Sequence, residues 1–349
     1  MSPEASVAPT DTMHAVYVTG PGTVTKLEVP RPAAGPKDIL VKVRACGICG
    51  SDAFYTQIGG IPPRQGHTPL GHEPAGEVVD VGAEVVDIPL GAHVVINPMV
   101  APSGIIGNGG ATGALANYLL IENAELGSSV AIVPDHIPFA VAALNEPMAV
   151  ARHGVNRLDP KPTDKVVVFG AGPIGLGAAI GFKLRGVESV VVVDLIPARL
   201  ETALEVGADA VINSAEEDVV ARLVELHGNA PRRPGESRPG TDLYLDAAGA
   251  PVVIDMILKN AKHGAKLGIV AVHKKPVEVD FGSILSTELT IVMAVGYPTE
   301  IFEVTNDIIE HWERYGAIVS DQFSFDDVEE ALTTAATPGA ADKVVVTFD

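Results

Sequence analysis

Short apolar runs alternating with helical spacings organise the second half of the chain. Residues 166–169, 189–194, 210–212, 243–245 and 267–272 are almost wholly apolar, and residues 174–185 and 197–206 between them carry helical periodicity. Strands that lack polar alternation are buried on both faces, and strands alternating with helices form a parallel sheet covered on each side. The first third reads differently. Residues 39–43, 77–81 and 92–96 are β-branched runs punctuated by Gly/Pro clusters such as Gly59-Gly60-Ile61-Pro62-Pro63, which predicts a β-rich domain. Residues 138–155 have helical spacing until Asp159-Pro160-Lys161-Pro162 breaks it, as a domain joint does. Alternation stops near residue 297, and the tail, with Lys343-Val344-Val345-Val346, predicts strands returning to the first domain. The predicted fold class is α/β. One domain, β-rich, spans 1–157 and 297–349; the other, a doubly wound parallel sheet, spans 158–296.

Composition narrows the partners. Among 349 residues, Lys+Arg 24 against Asp+Glu 44 leaves a net charge of -20, the wrong sign for nucleic acid or an anionic membrane surface. Residues 166–182 carry no charge but contain five glycines and Pro173, and they fall short of the ~20 residues a membrane span needs. Residues 1–13 have neither a basic nor an apolar segment and read as a loose leader rather than a signal peptide. A cytoplasmic location is expected. The Pro/Arg/Gly-rich run at 228–241 reads as a solvated surface loop, and no function is assigned to it.

The first candidate chemistry is Gly170-Ala171-Gly172-Pro173-Ile174-Gly175, a GxGxxG that follows a strand and opens a helix. Gly170 permits the tight turn, Gly172 lets the backbone approach a pyrophosphate, and Gly175 allows close helix–strand packing. Pro173 and Ile174 open the helix whose free N–H groups face the phosphates. Such a turn alone is weak evidence, but the next strand ends in Asp194. A carboxylate there accepts from the adenosine ribose hydroxyls and repels a 2′-phosphate, so NAD is expected over NADP. Arg199 either contacts the adenosine end or is a surface helix residue.

The second candidate is a metal site. Cys49 follows a strand within Cys46-Gly47-Ile48-Cys49-Gly50-Ser51-Asp52, His72 and Glu73 precede another, and Glu146 opens a helix. Thiolate, imidazole and carboxylate together form the ligand set of a catalytic zinc. Cys46 and Cys49 are the whole cysteine content, which excludes a disulfide framework and a tetrathiolate zinc site. Spacing leaves other readings open: Cys46 and Cys49 as a redox pair, Cys46 as a packing residue, or His72 as an ordinary core histidine.

In order along residues 14–349, the motifs resemble the zinc-containing medium-chain alcohol dehydrogenases. They are GICGSD, GHEPAGEV, Gly113-Ala114-Leu115-Ala116-Asn117-Tyr118, Glu146-Pro147-Met148-Ala149, GAGPIG with Asp194, and Asp246-Ala247-Ala248-Gly249. The chain is similar in particular to the polyol (sorbitol) and threonine dehydrogenase branch, because Glu146 stands where classical alcohol dehydrogenases carry a cysteine ligand. The resemblance implies a GroES-like catalytic domain and a Rossmann NAD domain. It implies Cys49 and His72 as ligands of a single catalytic zinc, with Glu73 and Glu146 binding directly or through water, and Asp52 orienting His72. It also implies Ser51 as the hydroxyl that passes on the substrate's proton, Ala271 and Lys343 as cofactor contacts, and Phe54, Tyr55 and Leu115 as the substrate pocket.

The activity implied is hydride transfer between a secondary alcohol or polyol, or its ketone, and NAD held by the Rossmann domain. Three departures accompany it. Phe54 replaces the histidine that ends the proton relay in many relatives, and His67 is one guess at a substitute. The lobe that holds the family's structural zinc is cut down to 100–113, and the loop at 228–241 is longer than usual. The alternatives are a non-catalytic NAD-binding protein of the same fold and a zinc-free quinone or enoyl reductase. The family's habits imply a homodimer or homotetramer, joined through edge strands around 290–295.

Overall fold

The computed structural model describes residues 11–231 and 235–349, and the chain divides into two units, Met1–Glu146 with Asp321–Asp349 and Pro147–Ser320. In the second unit the apolar runs form one six-stranded sheet. Its order is Ala210–Asn213, Ser189–Asp194, Lys165–Phe169, Leu243–Asp246, Lys266–Ile269, Thr290–Met293, and every pairing is parallel. The sheet is covered as its uniform hydrophobicity predicts, with Val167, Phe169, Val191, Tyr244 and Leu267 all in one buried cluster. The earliest strand lies in the middle, with the next two in sequence on one side of it and the following three on the other. That reversal of direction opens a crevice at the carboxyl ends of the strands, where ligands of such sheets bind. Phe169, Asp194 and Asp246 therefore finish side by side.

In the first unit a seven-stranded sheet is built around Ile39–Gly47. The strand Glu73–Val81 runs antiparallel to it with Gly47 opposite Glu73, and the tail strand Val344–Thr347 pairs with its other edge, Val346 opposite Cys46. The tail thus returns to the first unit, as the sequence predicts. The antiparallel register decides the site: one strand leaves the sheet just before Cys49 where its neighbour enters it just after His72. Two segments more than twenty residues apart in sequence meet at one edge.

Several expectations need correction. The units divide at 146/147 and 320/321, not at 157/158 and 296/297. Residues 297–320 belong to the Rossmann unit because Arg152 pairs with Asp307, while His153 and Asn156 hold the Glu300 carboxylate at 3.0 and 3.1 Å. The helix expected over 138–155 is two helices, Phe139–Ala142 and Asn145–Leu158, and the strand expected over 267–272 is Lys266–Ile269. The strand Thr12–Gly20 begins within the segment 1–13 expected to be a loose leader; the first ten residues of that segment lie outside the described residues.

The run 228–241, whose residues 232–234 are not described, is anchored rather than simply solvated. Arg238 is buried and donates to the Lys259 and Ala261 carbonyls at 2.8 and 3.1 Å, satisfying the end of helix Pro251–Asn260. No helix among the described residues is long and apolar enough to cross a membrane.

Candidate metal centre and dinucleotide site

In the first unit, Cys49, His72 and Glu73 bring one ligand atom each to within 4.8 Å of one another. Cys49 is the N-cap of helix Gly50–Ile58. Its side chain accepts from the Asp52 backbone N–H, and its own N–H donates to the Asp52 carboxylate at 3.0 Å. Asp52 is completely buried; its Oδ1 also accepts from Gly71 N–H at 3.2 Å, and His72 Nδ1 lies 3.7 Å from that same oxygen. Burial works against the Asp52 charge, but His72 and the two N–H groups outweigh it and hold its pKa below the ordinary carboxylate range. Burial likewise opposes a charge on His72, and the Asp52 carboxylate foremost, with Cys49, holds its pKa well above the usual histidine value. Asp52 thus stands beside His72 as an ion partner, while His72 Nδ1 has no hydrogen-bond partner among the described residues.

Glu73 is buried, with Oε2 on the Lys343 ammonium and Oε1 without a hydrogen-bond partner among the described residues. Buried oxygens are nearly always satisfied. An orphan carboxylate oxygen beside a cysteine and a histidine is a place a cation completes, so the three residues fit zinc in both donor type and number. Cys46 is fully buried and its thiol is pushed far up in pKa, chiefly by burial, which makes it a packing residue. Glu146 is buried at the start of its helix, outside this trio.

Lys343, assigned to the cofactor from the sequence, is committed elsewhere. Its ammonium is buried on Glu73 and on the Ile48 carbonyl at 2.9 Å. Burial disfavours its charge, but Glu73 above all, with Cys49 and Glu146, keeps its pKa above the ordinary lysine range. Leu115, assigned to the substrate pocket, is wholly buried in the core of its unit, where its backbone joins Leu70 and Val16. Phe54 is exposed, and Tyr55 is half-buried with its hydroxyl donating to Asn108. Ser51 donates to the same Asn108 oxygen. His67 is stacked on Tyr17 with ring centroids 4.4 Å apart.

In the Rossmann unit the glycine loop has the expected geometry. Gly170 has a φ of +96°, and a Cβ on Gly175 would stand 1.8 Å from the Gly170 carbonyl oxygen, whereas the space beside Gly172 is open. The helix Pro173–Leu184 starts there with Gly172 as N-cap. Asp194 does more than the sequence indicates. Its Oδ2 accepts from Ala171 N–H at 2.7 Å, and its Oδ1 from Leu195 and Ile196 N–H at 2.7 and 2.9 Å. A carboxylate has about four lone-pair directions, so Asp194 pins the loop and still has capacity to accept. Beside it a cleft of about 440 Å³ is lined by Phe169, Val193, Ala248, Val252 and Met256. Arg199 lies in the first turn of helix Pro197–Glu205, and Ala271, half-buried, follows strand Lys266–Ile269 with its N–H on the Asp246 carbonyl.

Two groups escape sequence reasoning. Asp246, fully buried, accepts from Ala248 and Gly249 N–H at 3.0 Å and pairs with His273 Nε2 at 2.7 Å. The Asp-Ala-Ala-Gly turn was visible, but nothing in the sequence links it to a histidine 27 residues on. Asn108 is the other, for the same reason.

A dinucleotide-type glycine loop in one unit and a cysteine–histidine–glutamate cluster in the other have the residue types that fit a nicotinamide nucleotide and a metal ion. Comparison with known proteins gives the chain its family. Residues 35–132 match the alcohol dehydrogenase GroES-like domain, and residues 173–311 match the zinc-binding dehydrogenase domain. The chain is 30% identical over 325 residues to (R,R)-butanediol dehydrogenase of Bacillus subtilis, covering 86% of this chain and 90% of that protein. It is 30% identical over 360 residues to L-threonine 3-dehydrogenase of Cutibacterium acnes, covering 97% and 99%. The crystal structure of 2R,3R-butanediol dehydrogenase from Bacillus subtilis superposes with a TM-score of 0.84 at 26% identity, over 96% of this chain and 99% of that one. This chain belongs to the zinc-dependent medium-chain alcohol dehydrogenase superfamily, in its polyol and threonine dehydrogenase branch, and is an oxidoreductase acting on alcohols.

Proposed function

We propose that the chain is a zinc- and NAD-dependent dehydrogenase that exchanges a hydride between a secondary alcohol or polyol, or its ketone, and the nicotinamide. The observation that carries this reading is the gathering of Cys49, His72 and Glu73 around an unsatisfied buried carboxylate oxygen. Cys49 and His72 would hold the zinc, with Glu73 as the third donor and Glu146 in reserve. Bound there, zinc supplies Lewis-acid charge, which makes an alcohol far more acidic and a carbonyl more electrophilic.

The chain's own residues do the rest. Asp52, 3.7 Å from His72 Nδ1, is placed to steady the imidazole by its charge. Lys343 offsets one carboxylate oxygen of Glu73, which limits the negative charge the cluster accumulates. Ser51 Oγ, two residues beyond Cys49, would relay the proton the alcohol gives up, taking it as its own hydroxyl hydrogen passes on toward the cofactor ribose, and the relay runs backwards in the reduction direction. Gly172 admits the pyrophosphate, and Asp194, with lone-pair capacity left, accepts from the adenosine ribose and disfavours a 2′-phosphate. The cleft beside Asp194 is apolar enough for an adenine. A second copy of the chain is the occupant we assign to the sheet edge Thr290–Met293, where Met293, Val295 and Leu285 are largely exposed.

The test is a panel of secondary alcohols, sugars, cyclitols and amino alcohols, offered to the zinc-loaded chain with NAD or NADP. NADH formation with at least one alcohol is expected, with NAD preferred at least about tenfold, ~1.4 kcal/mol. A zinc-loaded chain that reduces neither cofactor with any of them contradicts the reading.

A further inference from the structure

The connection from helix Gly50–Ile58 to the short strand Thr68–Pro69 is held in a fixed shape by its own hydrogen bonds. Arg64 N–H donates to the Ile61 carbonyl at 2.9 Å, and His67 N–H to the Arg64 carbonyl at 2.8 Å. Thr68 is fully buried, and its hydroxyl accepts from Ile61 N–H at 3.0 Å and donates to the Arg64 carbonyl at 2.8 Å. The connection lies against the strand Thr12–Gly20, in which Tyr17 stands opposite Pro69. There the His67 ring stacks on Tyr17, with centroids 4.4 Å apart and planes 19° from parallel.

Three hydrogen-bond donors meet here unused. The Arg64 guanidinium, the His67 ring nitrogens and the Tyr17 hydroxyl have no hydrogen-bond or ion-pair partner among the described residues. Arg64 is rooted rather than free, because its Nε is buried while its outer nitrogens are not. Buried donors are nearly always satisfied, and in a chain of net charge -20 an arginine has many carboxylates it could have met. Tyr17 reports the local sign: burial raises its pKa, and the charge that opposes this is that of Arg64. A planar carboxylate is saturated by the guanidinium fork alone, whereas a tetrahedral phosphate keeps oxygens for the imidazole and the phenol.

We propose that Arg64, His67 and Tyr17 form an anion-binding site that takes a phosphate group, as inorganic phosphate or as a small phosphate monoester. The Arg64 fork supplies the charge and two of the bonds, and the His67 ring and the Tyr17 hydroxyl supply the others. None of the three residues belongs to the metal centre or to the glycine loop, so the site stands or falls without the dehydrogenase reading.

Calorimetry on the zinc-loaded chain, with NADH present to occupy the glycine loop, measures the binding of inorganic phosphate, ribose 5-phosphate and acetate. One of the two phosphates is expected to bind at least about tenfold more tightly than acetate, and the tighter of them names the source. Arg64→Gln is expected to weaken phosphate binding roughly 10- to 100-fold. Tyr17→Phe, which keeps the ring under His67, is expected to weaken it roughly 3- to 10-fold and decides the matter if Arg64→Gln fails to fold. Arg222→Gln removes an exposed arginine that pairs with Glu217 and Glu225; it is expected to leave the affinity within about twofold of the parent. Phosphate is also expected to raise the Tm of the parent chain but not that of Arg64→Gln. No saturable phosphate binding by the parent, acetate bound as tightly as either phosphate, an affinity unchanged by Arg64→Gln and Tyr17→Phe, or an equal loss in Arg222→Gln overturns the proposal.

Discussion

Replacing Cys49 by serine is expected to empty the metal centre and to lower alcohol oxidation by roughly a thousandfold or more, about 4 kcal/mol of barrier. The substitution isolates the metal's contribution. Cys49 caps helix Gly50–Ile58 through its side chain and its backbone N–H, and serine is among the preferred N-cap residues. The helix, Asp52 and the sheet edge therefore survive, while a thiolate is exchanged for a hydroxyl that binds zinc poorly. His72→Ala gives the same loss of metal by a different route and leaves the buried Asp52 without its partner, so that variant is also expected to be less stable, by about 3 kcal/mol or more. Metal content and thermal unfolding separate the two effects. Serine at 49 with full zinc and full activity would remove Cys49 from the site.

Asp194→Ser carries the second large effect, and the structure divides it into two parts. Part is recognition: with the carboxylate gone, kcat/KM for NAD is expected to fall about 10- to 100-fold and the preference over NADP to narrow by a similar factor. The other part is the loop itself, since Asp194 accepts from Ala171, Leu195 and Ile196. Losing an anionic acceptor for three N–H groups at a half-exposed position is expected to cost about 1–3 kcal/mol of stability in the absence of any nucleotide. Fluorescence titration with NADH and NADPH reads the first part, and unfolding of the nucleotide-free chain reads the second. An unchanged cofactor ratio would contradict the recognition role, and unchanged stability would contradict the pinning role.

The Rossmann unit was readable because its signals are local. A strand such as 189–194 is wholly apolar because both faces are covered, and a glycine loop shows its purpose within six residues. The hairpin Thr12–Gly20 with Thr23–Pro30 gave no such signal. Its second strand is only half-buried along its length, so neither continuous hydrophobicity nor clean alternation marks it. Residues 297–320 were misassigned because their place depends on Arg152 and His153, which meet Asp307 and Glu300 about 150 residues away.

At the candidate metal centre the residue types are legible in sequence, and Asp52 with them, because they lie in short motifs such as GICGSD and GHEPAGEV. What each charge is spent on is not. Lys343 lies on Glu73 across 270 positions of sequence, which no periodicity reports. Asn108 depends on a left-handed turn in a segment that reads simply as glycine-rich. Contacts of that kind follow from tertiary register, here Gly47 opposite Glu73, rather than from any local pattern.

The most direct test of the account is to strip the purified chain with a chelator and measure alcohol-dependent reduction of NAD before and after zinc is returned. The account predicts that activity disappears on stripping and returns fully at about one zinc ion per chain, with no second, structural ion required. Activity that survives complete removal of the metal would contradict it.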